Sequence, residues 1–432
     1  MPLISKWLSR LMKMVPLILV VLAPQLLKAQ GRESLSLSEA IQLAQSHYPM
    51  LGQKDLVQLT EKLSTQNINT AFLPQPIISG QATYQSDVTG ISLPIPGFSI
   101  PSPQKDQYRV VAGVEQLVYD GGMVKTQKEI QHLNTGVEQN KVEVELYGLK
   151  ARINQLYFNV LLQEELLKQN ELVSKNIQAG IDKVEPQVQN GTMLRSNLLV
   201  LQAERLQAKQ RTIEITAARK GLLEMLSIYL GQPLPEELHL QKPQAISGAD
   251  TLLQRPELQL FQSQSDLVAG QKQLIRSRNL PKANAFFQGG YGRPGLNLLS
   301  NEFKPFYITG FRINWPLGGL YTAGREKKLA VINQQTIDLQ KQTFLLNTRS
   351  QLQQEQAEID KYGALFATDK EIIELRRQIT ESAKAQLENA VITSNDFLIQ
   401  VNAEDSARQA MILHELQWLQ AQVNYQITMG KL

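Results

Sequence analysis

Side chains able to do chemistry are sparse in this 432-residue chain. Cysteine is absent, which removes thiolate metal sites, thiol nucleophiles, disulfides and lipidated cysteine together. The four imidazoles, His47, His132, His239 and His414, are scattered, and no two stand at helical ligand spacing. "GGYGRPG" (289–295) has the glycines of a phosphate loop, but no Lys-Ser/Thr follows and no helix opens there. A glycine-rich strand end passing into a surface loop fits it better. Asp120 in "VYDGG" could be a catalytic acid, yet it stands where a strand turns into a helix, a place that suits the turn chemistry of Asp and Gly. No nucleophile and base, and no carboxylate dyad, recur at a spacing that argues for catalysis. The residues point to neither an enzyme nor a cofactor or metal site.

The chain opens with Lys6, Arg10 and Lys13, an apolar run "MVPLILVVLA" (14–23), and Ala29 before Gln30. That is the layout of a cleaved secretory signal, and the run is shorter than the ~20 residues of a membrane span. Four of the 44 basic residues (Lys6, Arg10, Lys13, Lys28) lie in this segment, leaving 40 against 40 acidic in the exported chain. A near-neutral surface exerts no long-range pull on phosphate backbones, so nucleic acid is set aside as a partner.

The elements that surround these residues come in two copies. "HYPML" (47–51) matches "QRPEL" (254–258) and "FLPQ" (72–75) matches "NLPK" (279–282), both at a shift of 207. The Gly-Gly turns at Gly121 and Gly318 follow at 197, and "NGTMLRSNLL" matches "NAVITSNDFL" at 199. The change of ten falls in the loop-like stretch 89–106, as expected where flanking strands must keep register. A period near 200 is a duplicated domain rather than a short-unit solenoid.

Each half reads as helix, β-hairpin, long helix, turn, helix. The first helix starts at "SLSEAIQLAQ", where Ser36 or Ser38 can cap, and it runs to about Phe72 before Pro74. Residues 122–189, apart from Pro186, and 323–389 keep a helical pattern, which at ~1.5 Å per residue spans about 100 Å each. Leu329, Ile332, Thr336, Leu339, Thr343 and Leu346 step by threes and fours, the pattern of coiled-coil-like packing. Such helices fit a water-lined wall and a solid solvated coiled coil equally well.

The strands discriminate further. In segments 108–119 and 306–317, aromatic and aliphatic residues share one parity, and every charge falls on the other. With their upstream partners, 76–86 and 284–293, these are segments of about ten residues with aromatics near their ends, as in membrane barrels. Four strands cannot close a barrel, and a free edge in hydrocarbon leaves backbone groups unpaired, so several copies must share one cylinder.

Taken in order, "LSLSEAIQLAQSHYPML", "AFLPQPIISGQATY", "RNLPKANAFFQGGYG", "YDGG", "PLGG" and "NGTMLRSNLLVLQAE" resemble the TolC-like outer-membrane efflux and secretion proteins over essentially the whole mature chain. The resemblance implies a mainly α chain with a transmembrane β-barrel portion: a homotrimer in which four strands per chain build a 12-stranded barrel, continued by an α-helical tunnel. It implies a passive, cofactor-free export duct in the outer membrane, extending into the periplasm. Its partners would be outer-membrane lipid, a periplasmic membrane-fusion adaptor, and an inner-membrane transporter of the resistance-nodulation-division or ABC type, in a tripartite pump or type I secretion system. Asp120, Gly121, Gly122, Gly318 and Gly319 become the barrel-to-tunnel seam. Tyr84, Tyr108, Phe287, Tyr291, Tyr307, Phe311 and Trp315 become the lipid-facing aromatics. Gly191, Thr192 and Met193, with Ala390, Val391 and Ile392, become adaptor-docking hairpin tips, Ala390 standing where glycine is usual. Asn197 and Asp396 are either helix caps or the residues of a periplasmic constriction, and Ile399 stands where some relatives carry a second acid.

The resulting division is 1–29 signal peptide, 30–73 first periplasmic helix, 74–121 first barrel hairpin, 122–231 first long helical hairpin, and 232–255 linker. The second repeat then has 256–280 as its first helix, 281–318 as its barrel hairpin, and 319–432 as the second long helical hairpin with the C-terminus. The competing reading is a periplasmic coiled-coil scaffold or adaptor without a conducting pore.

Overall fold

The computed structural model describes residues 34–90, 102–245, 252–298 and 300–432. The expected signal peptide lies outside them, as do parts of the loop-rich stretch 89–106 and of the linker. In chain order the elements are β1 (Ser34–Leu35), α1 (Leu37–His47), α2 (Gln53–Asn69), β2 (Gln75–Tyr84), β3 (Asp106–Tyr119), α3 (Met123–Gln189) and α4 (Arg195–Leu230). They continue as β4 (His239–Leu240), α5 (Pro256–Arg278), β5 (Lys282–Arg293), β6 (Lys304–Asn314), α6 (Leu320–Glu388) and α7 (Ser394–Met429). They fall into two compact units. Of the described residues, one contains those within 34–51, 146–254 and 348–432, and the other those within 52–145 and 255–347.

Ser36 caps α1 rather than Ser38, in a capping box with Glu39. The single helix expected over 30–73 is instead two helices separated by a 3-10 turn at Pro49–Gly52. Pro49 supplies no N–H and holds Tyr48 in an extended conformation (ψ 122°), so α1 ends there. Pro186 does not stop α3, which runs on to Gln189 with the proline in its last turn. A parallel pair, β1 with β4, joins the start of the chain to the linker. Strands of two residues have no period for a sequence to show.

That pair is held in the core of its unit. The buried Tyr157 hydroxyl lies 2.7 Å from both Leu35 O and Gln241 O, and burial raises its pKa above the usual phenol range. Arg219 donates to the Glu164 carboxylate at 2.8 Å and to the carbonyls of Glu236 and Leu238. Around them Ile153, Leu161, Leu226, Leu230 and Leu238 are at most 1% exposed, each contributing ~2 kcal/mol of apolar burial.

The second unit holds a four-stranded antiparallel sheet in the order β2-β3-β5-β6. Its helices follow the same order. Helix α2 meets α3 through Glu61 and His132 (2.8 Å), α3 meets α5 through Asn140 and Ser263 (2.7 Å), and α5 meets α6 through Ser265 and Gln334 (2.5 Å). Among the described residues, strands β2 and β6 and helices α2 and α6 are therefore the free edges. The leucine seam expected on α6 has no partner in this unit: Leu329, Ile332, Leu339 and Leu346 are all more than half exposed.

Candidate functional site

The first strand-to-helix corner is built by one carboxylate and two left-handed residues. Asp120 is buried, and its side chain accepts the N–H of Gly122 (2.8 Å) and of Val124 (2.6 Å), which caps α3. Gly121 and Gly122 have φ of 71° and 79°, and a Cβ on Gly121 would meet Leu280 Cβ at 2.6 Å. The second corner works differently. Gly318 and Gly319 lie in a 3-10 turn without positive φ, so conformational freedom is not what the turn requires there. Gly319 instead leaves room for Asn279, whose Oδ1 would be 2.0 Å from an added Cβ, while Gly318 has open space around it. Asn279 also ties the corner to Trp315, whose indole N–H donates to its carbonyl at 3.1 Å.

At the far ends of the long helices the two turns share one backbone motif. Gly191 (φ 74°) and Ala390 (φ 55°) both occupy the left-handed position of a Schellman turn. Thr192 N–H donates to Gln187 O at 2.8 Å in the first, and Val391 N–H to Gln386 O at 2.9 Å in the second. Ala390 is the one described non-glycine residue with positive φ. Thr192 and Val391 point to solvent, whereas Met193 and Ile392 pack against a core that includes Phe397, Leu387 and Leu201.

The residues after the turns differ. Thr393 and Asp396 form a capping box at the start of α7. Hydrogen bonds from the Thr393 hydroxyl and then its N–H hold the Asp396 carboxyl below the usual carboxylate range. In the first repeat Leu194 takes the cap position and offers no side-chain bond, so Asn197 has no hydroxyl to box with. It reaches across the repeat instead: Ser394 N–H donates to Asn197 Oδ1 at 3.0 Å. Gln187 Nε2 donates to Glu388 O at 3.0 Å, so the first hairpin caps both helices of the second. The Thr393-x-x-Asp396 spacing could have shown the capping box; nothing in the sequence marks Gln187 or Asn279.

On the sheet, register gathers Tyr84, Tyr108, Phe287, Tyr291, Tyr307 and Phe311 on one face with Ile78 and Val110, and Trp315 stands just past β6. All seven aromatics are exposed, Tyr307 by 70% and Phe311 by 79%. The other face carries Gln81, Arg109, Glu115, Gln288 and Arg312. Within 108–119 and 306–317 every charge keeps to this second face, and outside those segments, at the loop end, Asp106 and Arg293 pair on the aromatic side. Among the described residues no helix is long and apolar enough to cross a membrane, and no group of three or more acidic or imidazole side chains could hold a metal.

The fold that carries this sheet, these turns and the duplicated long helices is similar to that of solved structures. CusC aligns with a TM-score of 0.64 at 14% identity, covering 91% of each chain. The chain has the TolC-like outer-membrane channel fold. The CmeC outer membrane channel of Campylobacter jejuni aligns at 0.62 and 13% identity over 91% of this chain and 85% of that one. The open-state MtrE outer membrane channel of Neisseria gonorrhoeae does so at 0.64 and 15%, over 91% and 88%. No family model and no curated protein matches the chain. The TolC-like fold is thus carried with little of its neighbours' sequence, and here it is mainly helical with a few strands.

Proposed function

We propose that the chain is one protomer of a trimeric export duct in the outer membrane, delivered there by a cleaved signal at 1–29. One observation carries the reading: an antiparallel sheet with both edges free among the described residues, exposed aromatics on one face, and the charged groups of 108–119 and 306–317 on the other. Because neighbours alternate in direction from β2 to β6, β6 of one copy meets β2 of the next antiparallel, and a ring of four-stranded sheets closes with no edge left. Three copies give 12 strands, the aromatic face toward lipid and the polar face toward water. Substrate then moves passively through the lumen, with no catalysis and no cofactor. The likeness to the named outer membrane channels supports this reading, and on this reading a periplasmic adaptor and an inner-membrane transporter of the resistance-nodulation-division or ABC type dock at the hairpin ends. Gly191, Thr192, Ala390 and Val391 form the docking surface, and Asn197 and Asp396 hold its shape at the constriction.

The test is purification from membranes. A particle of three chains that needs detergent, and that gives discrete conductance steps in planar bilayers, is the expected result. A detergent-independent monomer, or trimers that insert and stay silent at every voltage, overturns it.

A further inference from the structure

The polar face of the sheet is what a solute would meet if the export-duct reading holds, and the following rests on that reading. Arg109, Glu115, Lys282, Lys304 and Arg312 share this face. Arg312 pairs with Glu115 at 2.8 Å and Lys304 with Glu302 at 2.7 Å, so those charges are compensated. Lys282 donates to a neutral atom, the sulfur of Met123, at 3.3 Å. Arg109 has no acid partner among the described residues. Its cross-strand neighbours are Gln81 and Gly292, and its guanidinium lies 5.3 Å from the centre of the Phe306 ring.

Glycine makes that arrangement possible. Phe306 lies across Gly290, where an added Cβ would come within 2.5 Å of the ring, and Phe286 lies likewise over Gly310 at 3.3 Å. With the rings pressed onto bare backbone, guanidinium groups can roof them, Arg109 over Phe306 and Arg312 over Phe286 at 4.9 Å. At these two positions guanidinium groups, rather than bare phenyl faces, are turned toward solvent. In a narrow lumen with low-dielectric walls, uncompensated charge of one sign is focused and repeats once per protomer. We infer that this face favours anionic solutes and that Arg109 sets the preference around Gln81 and Gly292, Lys282 standing at the other end of β5.

The absence of native cysteine makes the field measurable. Gln81→Cys places a thiol directly across from Arg109, and Val110→Cys places one on the aromatic face. Full-length protein in liposomes is treated with membrane-impermeant anionic and cationic thiosulfonates, each rate normalised to that with a free thiol. The anionic reagent should modify Gln81→Cys about fivefold faster at low salt. Adding Arg109→Gln should bring the ratio close to one, and Arg109→Lys should keep it. A ratio at or below one, or a ratio indifferent to Arg109→Gln, overturns the inference while leaving a water-lined channel in place. Failure of Gln81→Cys to react at all overturns the export-duct reading itself, and the inference with it.

Discussion

At the scale of single residues, the two hairpin ends are a natural experiment in left-handed backbone. Ala390 holds φ 55° where its counterpart is Gly191. A left-handed conformation costs an L-residue roughly 1–2 kcal/mol, and glycine gives back part of this through the unfolded chain. Ala390→Gly should therefore stabilise the hairpin by about 0.5 kcal/mol, and Gly191→Ala should destabilise its own by about 1 kcal/mol. Denaturant unfolding of the detergent-solubilised protein reads both. Asp396 adds a pH dependence whose sign is fixed by its lowered pKa. Its contribution is complete above the ordinary carboxylate pKa and is lost as pH falls through the depressed value. Hydrogen-exchange protection at the start of α7 should drop on acidification in that range, and Asp396→Asn should remove the acid step. Gly191 carries the residue type a left-handed turn demands and Thr393-x-x-Asp396 the spacing of a cap, whereas Ala390 is found only as the counterpart of Gly191 in the second repeat. Asn197 was legible as a cap but not its direction, since the missing hydroxyl partner sends it to a helix 197 residues away.

Elements tell a similar story at the corners. Both Gly-Gly pairs stood out in the sequence, but only the first is explained by backbone freedom. This separates four substitutions that a motif would treat alike. Gly121→Ala combines positive φ with a 2.6 Å clash against Leu280 Cβ and should cost about 3 kcal/mol. Gly122→Ala meets open space and should cost only the ~1 kcal/mol of its conformation. Gly319→Ala must displace Asn279, whereas Gly318→Ala should leave the thermal midpoint unchanged. Thermal unfolding of the four variants checks the order. Long helices and strands were readable because their periods of 3.6 and 2 repeat many times. The break at Pro49 was overlooked because the helical pattern resumes in α2, and β1 with β4 because their two-residue lengths contain no period at all.

For the whole molecule, the deciding feature is what the chain leaves unpaired. Sheet order and helix order in the second unit agree, so the free strands β2 and β6 are accompanied by free helices α2 and α6. Each such helix carries an apolar stripe at helical spacing, Leu56, Leu59 and Leu63 on α2, and Leu329, Ile332, Leu339 and Leu346 on α6. The heptad on α6 was visible in the sequence. That this face stays exposed among the described residues was not, because periodicity marks an apolar face without showing what covers it. If neighbouring copies join edge to edge, the two stripes belong to one interface, and a charge on either should weaken the ring without unfolding the protomer. Leu59→Glu and Leu339→Glu should each shift the detergent-solubilised particle from three chains toward one while the helical circular-dichroism signal is retained. Each buried leucine contributes about 2 kcal/mol, and each change recurs at every junction of the ring. Sedimentation in density-matched detergent measures the shift. If both variants remain trimeric, the stripes face water or lipid instead, and the ring closes through the strands alone.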